Sequence, residues 1–339
     1  VTADAIALTG TTYATDAATD STITMMGPVT VGDDTAMTAS TVTFTTTLDS
    51  SGVSDVSDLH TLDITGDAVF GGAVGATDKL GSLTVSGTSA IDGGSVLTSG
   101  LQKYSSDVTL GQNTTLTSLS SGAIEFGAKL DGAFTLAVNT AGVTTFGGAV
   151  GSVGAGLVSL TTDAFGSTVV NGGSIKTSSA TTFNDAVTLG DDTDMTASTV
   201  EFVSTLDSSG VSDVSDLHTL DITGDAVFGG AVGATDKLGS LTVSGTSAID
   251  GGSVRTSDLQ TYSDDVTLGA NTTLTSLSSG AIEFGAKLDG AFTLVVNTAG
   301  VTTFGGAVGS VGAGLVSLTT DAVGSTVING GSIKTSDAT

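Results

Sequence analysis

Apolar and small polar residues alternate along most of the chain in runs of four to six. LTVSG at Leu241, AIEFG at Ala281, FTLVVN at Phe292, VTTFGG at Val301 and LVSLTT at Leu315 are examples. A period of two is the signature of a strand with one buried face. Between the runs stand DGG, NGG, SSG, LDG and TAG. These supply the turn-forming side chains and positive φ that tight corners require. No window of about 12 residues keeps an i, i+3, i+4, i+7 apolar stripe, so helices are not expected.

The alternation is itself repeated. DGGSVRTSDLQTYSDDVTLGANTTLTSL, Asp250 to Leu277, returns almost unchanged at Asp92 to Leu119 and more loosely at Asn171 to Ser198. The spacing is about 158 residues for the close copy and about 79 for the loose one. It divides the chain into a divergent coil or cap at 1–22, a first repeat unit at 23–180 and a second at 181–339, each of two half-units. FGGAVG at Phe70 and again at Phe146 marks the half-unit relation.

Short strands every eight to ten residues suit a sandwich, a barrel or a parallel β-helix. Sandwiches and barrels close at a fixed strand number, whereas a β-helix accepts near-identical units end to end. The expected fold is therefore all-β, a right-handed parallel β-helix forming an elongated rod. A coil of about 20 residues gives about four coils per half-unit and about 17 in all. At a strand spacing of about 4.8 Å the rod would be on the order of 80 Å long.

Composition sharpens this reading. Hydrophobic residues make up 39% of the 339, enough for a core, but aromatics are only 4% and Trp is absent, so the core must be thin and aliphatic. The formal charge of −27 comes almost wholly from Asp, with Glu only at 125, 201 and 283. Asp favours turns and Glu favours helices, which again argues for corners. Eight Lys or Arg exclude nucleic acid as a partner, since phosphate binding needs clustered cations. There is no Cys for disulfides or thiolate metal sites, and no apolar run of about 18 residues to span a membrane. The chain starts and stops at arbitrary phases of the repeat, as expected of a piece of a longer or processed protein.

Candidate chemistry is sparse. His60 and His218 occupy one repeat position, flanked by Asp58 and Asp63 or Asp216 and Asp221; they read as turn histidines rather than ligands. GDDTD at Gly190 and SDVSD at Ser54 and Ser212 bring carboxylates together, but match neither an EF-hand nor the GGxGxD β-roll motif. Loose divalent association, with structural Ca²⁺ as the alternative, is what they suggest. GGAVGATDKLGS at Gly71 and GGAVGSVGAGLVS at Gly147 lack the GK[ST] ending of a phosphate loop and read as wide corners. Asn113 and Asn271 begin N-T-T sequons. TFTTTLD at Thr43 offers a T-x-T array of the ice-binding kind, but the motif does not persist coil after coil. Tyr104 and Tyr262 are the candidates for an exposed aromatic contact. A glycosidase needs paired carboxylates about one bond, usually with aromatic platforms or Arg, whereas here the acids are spread evenly and Arg255 is the sole Arg. No catalytic, cofactor-binding or metal-ligating residue is assigned.

QTYSDDVTLGANTTLTSLSSGAIEFGAKLDG and FTLVVNTAGVTTFGGAVG resemble the β-strand repeats of giant bacterial surface proteins, of the filamentous-haemagglutinin-like adhesin and autotransporter-passenger type. The resemblance covers nearly everything after about residue 22. It implies a β-helix secreted to the cell surface or medium, and carries over no catalytic residue. The leading expectation is thus an extracellular structural repeat protein, the rod or fibre of a surface adhesin or matrix filament, partnered end to end by copies of itself or by further repeats. A carbohydrate- or ion-binding repeat module on cell-surface glycans is the alternative, and a polysaccharide-cleaving β-helix the third reading.

Overall fold

The computed structural model describes residues 1–15, 21–52, 59–154, 156–209, 217–312 and 314–337. Among them every regular element is a strand, and every strand pairing is parallel. They form two compact units, Val1–Thr177 and Ser178–Thr339. Each unit is a β-solenoid, with about 14 turns in the chain as a whole.

In the first unit each turn contributes one inward side chain to each of three ladders. The first ladder runs Tyr13, Met37, Ile64, Val85, Tyr104, Phe126, Phe146, Val170. The second begins Met25, Phe44, Phe70, Ile91, Leu110. The third runs Ile6, Val29, Leu48, Val74, Val96, Leu116, Val138, Thr162. The alternation that marks the strands thus sends every second residue to one narrow core. A fully buried aliphatic there contributes about 1.5–3 kcal/mol. Its aromatic rungs stack: Phe126 lies 5.7 Å from Tyr104 and 5.4 Å from Phe146, ring centre to ring centre. Such stacking adds about 0.5–1.5 kcal/mol per pair.

The second unit has the same plan. Met195, Ile222, Val243, Tyr262, Phe284, Phe304 and Ile328 form its first ladder. Phe183, Phe202, Phe228, Ile249 and Leu268 form the second. Leu206, Val232, Val254, Leu274, Val296 and Thr320 form the third.

Two details correct the arithmetic of the sequence. Ladder partners stand from 19 residues apart, as Ile91 and Leu110 do, to 27 apart, as Met37 and Ile64 do. Turns are therefore longer than the expected 20 residues, and about 14 replace the expected 17. The extra residues sit in corners, such as that between Phe146 and Ser159, where no alternation reports them. Nor is the half-unit a whole number of turns. Phe70 lies in the second ladder and Phe146 in the first, although both open FGGAVG. The second half-unit is thus one face out of step with the first.

Glycine is obligatory where the chain bends without breaking its strand. Leu62–Phe70 crosses from the first face to the second at Gly66, whose φ is +124° and where a Cβ would collide with the Ala39 carbonyl oxygen. The strand beneath it carries a bulge, its register shifting between Thr38 and Thr41.

Candidate functional site

Ten of the aspartates are corner clips. In the first unit one oxygen of Asp34 accepts from the Thr61 amide at 2.9 Å, and likewise Asp49 from Thr77 at 2.9 Å and Asp67 from Thr88 at 2.7 Å. Farther on, Asp107 accepts from Lys129 at 3.1 Å, Asn113 from Thr135 at 3.1 Å and Asp131 from Val153 at 3.0 Å. Each acceptor reaches one turn ahead. A short side chain suits the gap between turns, which explains why the acidity is Asp and not Glu. The second unit repeats all six clips at Asp192, Asp207, Asp225, Asp265, Asn271 and Asp289. The sequon residues Asn113 and Asn271 are thereby built into the corner series.

The GDDTD carboxylates are occupied in the same way: Asp191 Oδ1 accepts from the Asp192 amide and Asp192 Oδ1 from the Thr219 amide. SDVSD at Ser54 and Ser212, with Asp58 and Asp216, lies outside the described residues. Among the described residues, no group of three or more His, Asp or Glu is placed to hold a metal ion.

The two histidines brace a corner, their backbone amides donating to Ser50 Oγ and Ser208 Oγ. In the second unit His218 Nε2 is also 3.2 Å from Ser209 Oγ, and Nδ1 is 3.9 Å from Asp192 Oδ1. The order mimics nucleophile, base and carboxylate, but 3.9 Å is beyond a hydrogen bond and that oxygen is already held by the Thr219 amide. The Ser209 amide is spent on the Leu189 carbonyl, so it cannot stabilise an oxyanion.

Tyr104 and Tyr262 are not surface contacts. Both are fully buried, and burial pushes each phenol well above its ordinary pKa. The Tyr104 hydroxyl donates to Gln102 Oε1, and Gln102 Nε2 donates to the Val96 carbonyl, the Thr98 hydroxyl and the Thr117 carbonyl. Gln260 and Tyr262 repeat this network. A polar brace therefore sits inside each core, tying the first ladder to the third face.

The third face of the first unit opens with strands that include Asp49 on Leu48–Ser50. Its last four strands are Ser95–Thr98, Thr114–Ser118, Thr135–Thr140 and Ser159–Thr162, paired in that order. None of these strands contains an ionisable residue. Their outward positions are filled by Ser, Thr, Leu, Ala and Asn. The neighbouring first face presents Asp63, Lys103 and Glu125, the last two ion-paired at 2.9 Å. Three exposed apolar residues lie just past the third face: Leu119, Ala141 and Phe165 follow the strand ends Ser118, Thr140 and Thr162, with Leu119 59% and Phe165 69% exposed. Sequence reading passed over Phe165, an isolated aromatic in a turn with no alternation around it. Beside it, burial raises the Asp163 pKa, partly offset by the hydrogen bond from the Thr140 amide.

Hollows among the described residues include a groove of about 500 Å³ along Asp265, Lys287, Asp289 and Gly312, a smaller one of about 230 Å³ among Leu59, Asp78, Lys79, Leu97 and Leu119, and openings at the outermost turns. The larger groove's carboxylates are the clips already described. No protein family, no curated protein and no solved structure matches the chain.

Proposed function

We propose that the chain is an extracellular structural repeat module, part of the rod or fibre of a bacterial surface adhesin or matrix filament. The observation that carries the reading is the use of the polar residues: the described Asp clips and the Gln–Tyr braces fasten one turn to the next, and recur in both units. A protein selected for chemistry concentrates its acids at one irregular place, whereas here they serve the regularity itself. The excess negative charge outside keeps neighbouring fibres soluble. The parallel strand pairing that joins turn to turn within the chain is the means proposed for end-to-end partnership with copies of itself or further repeats. On this reading the role is mechanical and calls for no cofactor.

The test is immunogold electron microscopy of the producing cells, intact and permeabilised. Label along surface or matrix filaments of intact cells is the expected result. Label only after permeabilisation, or oligosaccharides released when the purified chain is incubated with polysaccharides, would overturn it.

A further inference from the structure

We infer that Asn171 is a self-modifying site: its side-chain amide is hydrolysed without an enzyme, through the backbone nitrogen of Gly172, and the corner gains a negative charge as the protein ages.

One corner occurs four times at the half-unit spacing, as Asp92, Asn171, Asp250 and Asn329, each followed by two glycines. In every copy the main-chain amide of the first residue donates to a Phe carbonyl one turn back, at 2.8–2.9 Å, and the residue is exposed. The glycine that follows is obligatory. A Cβ on Gly93, Gly172, Gly251 or Gly330 would collide with the carbonyl group of Gly72, Gly148, Gly230 or Gly306. No side chain can therefore stand beside the Asn to slow attack on it, and only the first residue is open to choice. Two copies already carry the acid. The other two carry Asn before Gly, the pairing in which an unhindered peptide nitrogen most readily reaches the amide carbon of this thermolabile residue.

The copies differ at the attacking nitrogen. The Gly93 and Gly251 amides are each held by a Phe carbonyl at 2.9 Å and that of Gly330 at 3.2 Å, whereas Gly172 N has no acceptor among the described residues. The Asn171 side chain makes no hydrogen bond among them either, unlike Asn113, whose Oδ1 accepts from the Thr135 amide.

The step needs only water. Gly172 N loses its proton to solvent base and bonds to Asn171 Cγ, the Cγ–Nδ2 bond breaks, and ammonia leaves behind a five-membered succinimide. Water then cleaves the new N–Cγ bond, which restores the peptide and leaves a carboxylate on the side chain. Cleavage at the α-carbonyl would instead route the main chain through the side chain and add an atom to a corner whose ends are fixed, with Val170 paired to Phe146 and Ile175 bridged to Val150. The fold thus favours the normal aspartate, which the sister corners hold at 92 and 250. Each conversion adds to a formal charge of −27 and to the repulsion between such bodies. On the fibre reading, on which only this use rests, the charge records how long the protein has stood outside the cell.

The experiment is peptide mapping by mass spectrometry of the whole folded chain kept for weeks in buffers of rising pH, with a sample in denaturant alongside and isoaspartate separated from aspartate. Expected is conversion at Asn171 about tenfold or more faster than at Asn113, Asn139 or Asn271, which precede Thr. The rate should rise with pH, because the nitrogen must lose its proton, and be lower at Asn329, where the Gly330 amide is held. Aspartate should outweigh isoaspartate in the folded chain and lose that lead in denaturant. Asn171→Asp should fold with an unchanged melting temperature, and its map should match that of the aged protein. An intact Asn171 in the folded chain, a rate no greater than at Asn113, indifference to pH, conversion faster at Asn329, isoaspartate as the main folded product, or misfolding of Asn171→Asp would each overturn the inference. None of these outcomes bears on where the protein resides, which the immunogold result decides separately.

Discussion

Gly32–Thr177 in the first unit and Gly190–Thr335 in the second can be laid over each other without a gap, and they differ at twelve positions. Only one of the twelve, Val170 against Ile328, belongs to a core ladder. The rest point outward or sit in corners. Thr43 faces Glu201 in the comparison, Gly100 faces Asp258, Lys103 faces Thr261 and Ser106 faces Asp264, so the second unit is more acidic outside an interior changed only at that one position. Leu97 against Arg255 and Phe165 against Val323 make its third face less apolar as well. Arg255 is moreover bent back onto the carbonyls of Gly233 and Ala234 in the preceding turn. Ladder positions touch neighbours in the turns on both sides, and a change there must be matched twice. Outward positions touch mainly water, and they are free to set how each unit meets other molecules.

If that division is correct, equal damage inside the two units should have equal consequences. Phe126→Ala and Phe284→Ala each remove the middle ring of a three-ring stack and should each cost about 3–5 kcal/mol by chemical denaturation. A large inequality would mean that the cores are not equivalent. Next in size, Gln102→Leu or Gln260→Leu strands a buried Tyr hydroxyl and two carbonyls, at about 1–3 kcal/mol. Loss of amide-exchange protection at Thr98 and Tyr104 would locate the damage. Ser89 and Ser247 carry buried hydroxyls with no partner, so Ser89→Ala and Ser247→Ala should raise stability, by roughly 1 kcal/mol each. A loss on either substitution would reveal an unseen partner. Smallest is Lys103→Thr, which makes the first unit like the second by removing an exposed ion pair with Glu125, and should shift stability by less than about 1 kcal/mol.

The fold was largely legible because alternation reports inward and outward positions directly: LTVSG at Leu241 is a strand with Leu241 and Val243 buried. Turn length was not, because corner residues such as Gly151–Gly154 belong to no strand and leave no periodic trace. The Tyr residues were misplaced for a related reason. Gln102 and Tyr104 occupy inward positions of an alternating QKY strand, but a polar amide and a phenol read as surface unless each is known to satisfy the other. Phe165 was invisible for the opposite reason, since an aromatic in a turn carries no pattern to say whether it is covered. The corner clips were legible as a class, in the preference for Asp, but not one by one, because each pairing depends on how many residues the next turn contains.

The half-unit offset bears on how such a body is seen from outside. FGGAVG at Phe70 and at Phe146 begins on different ladders of one unit, so an antibody raised against that hexapeptide would find its two epitopes at different azimuths and not one above the other. Within a unit, copying the half-unit therefore moves a surface mark to another face and does not paint a stripe of identical residues down one side.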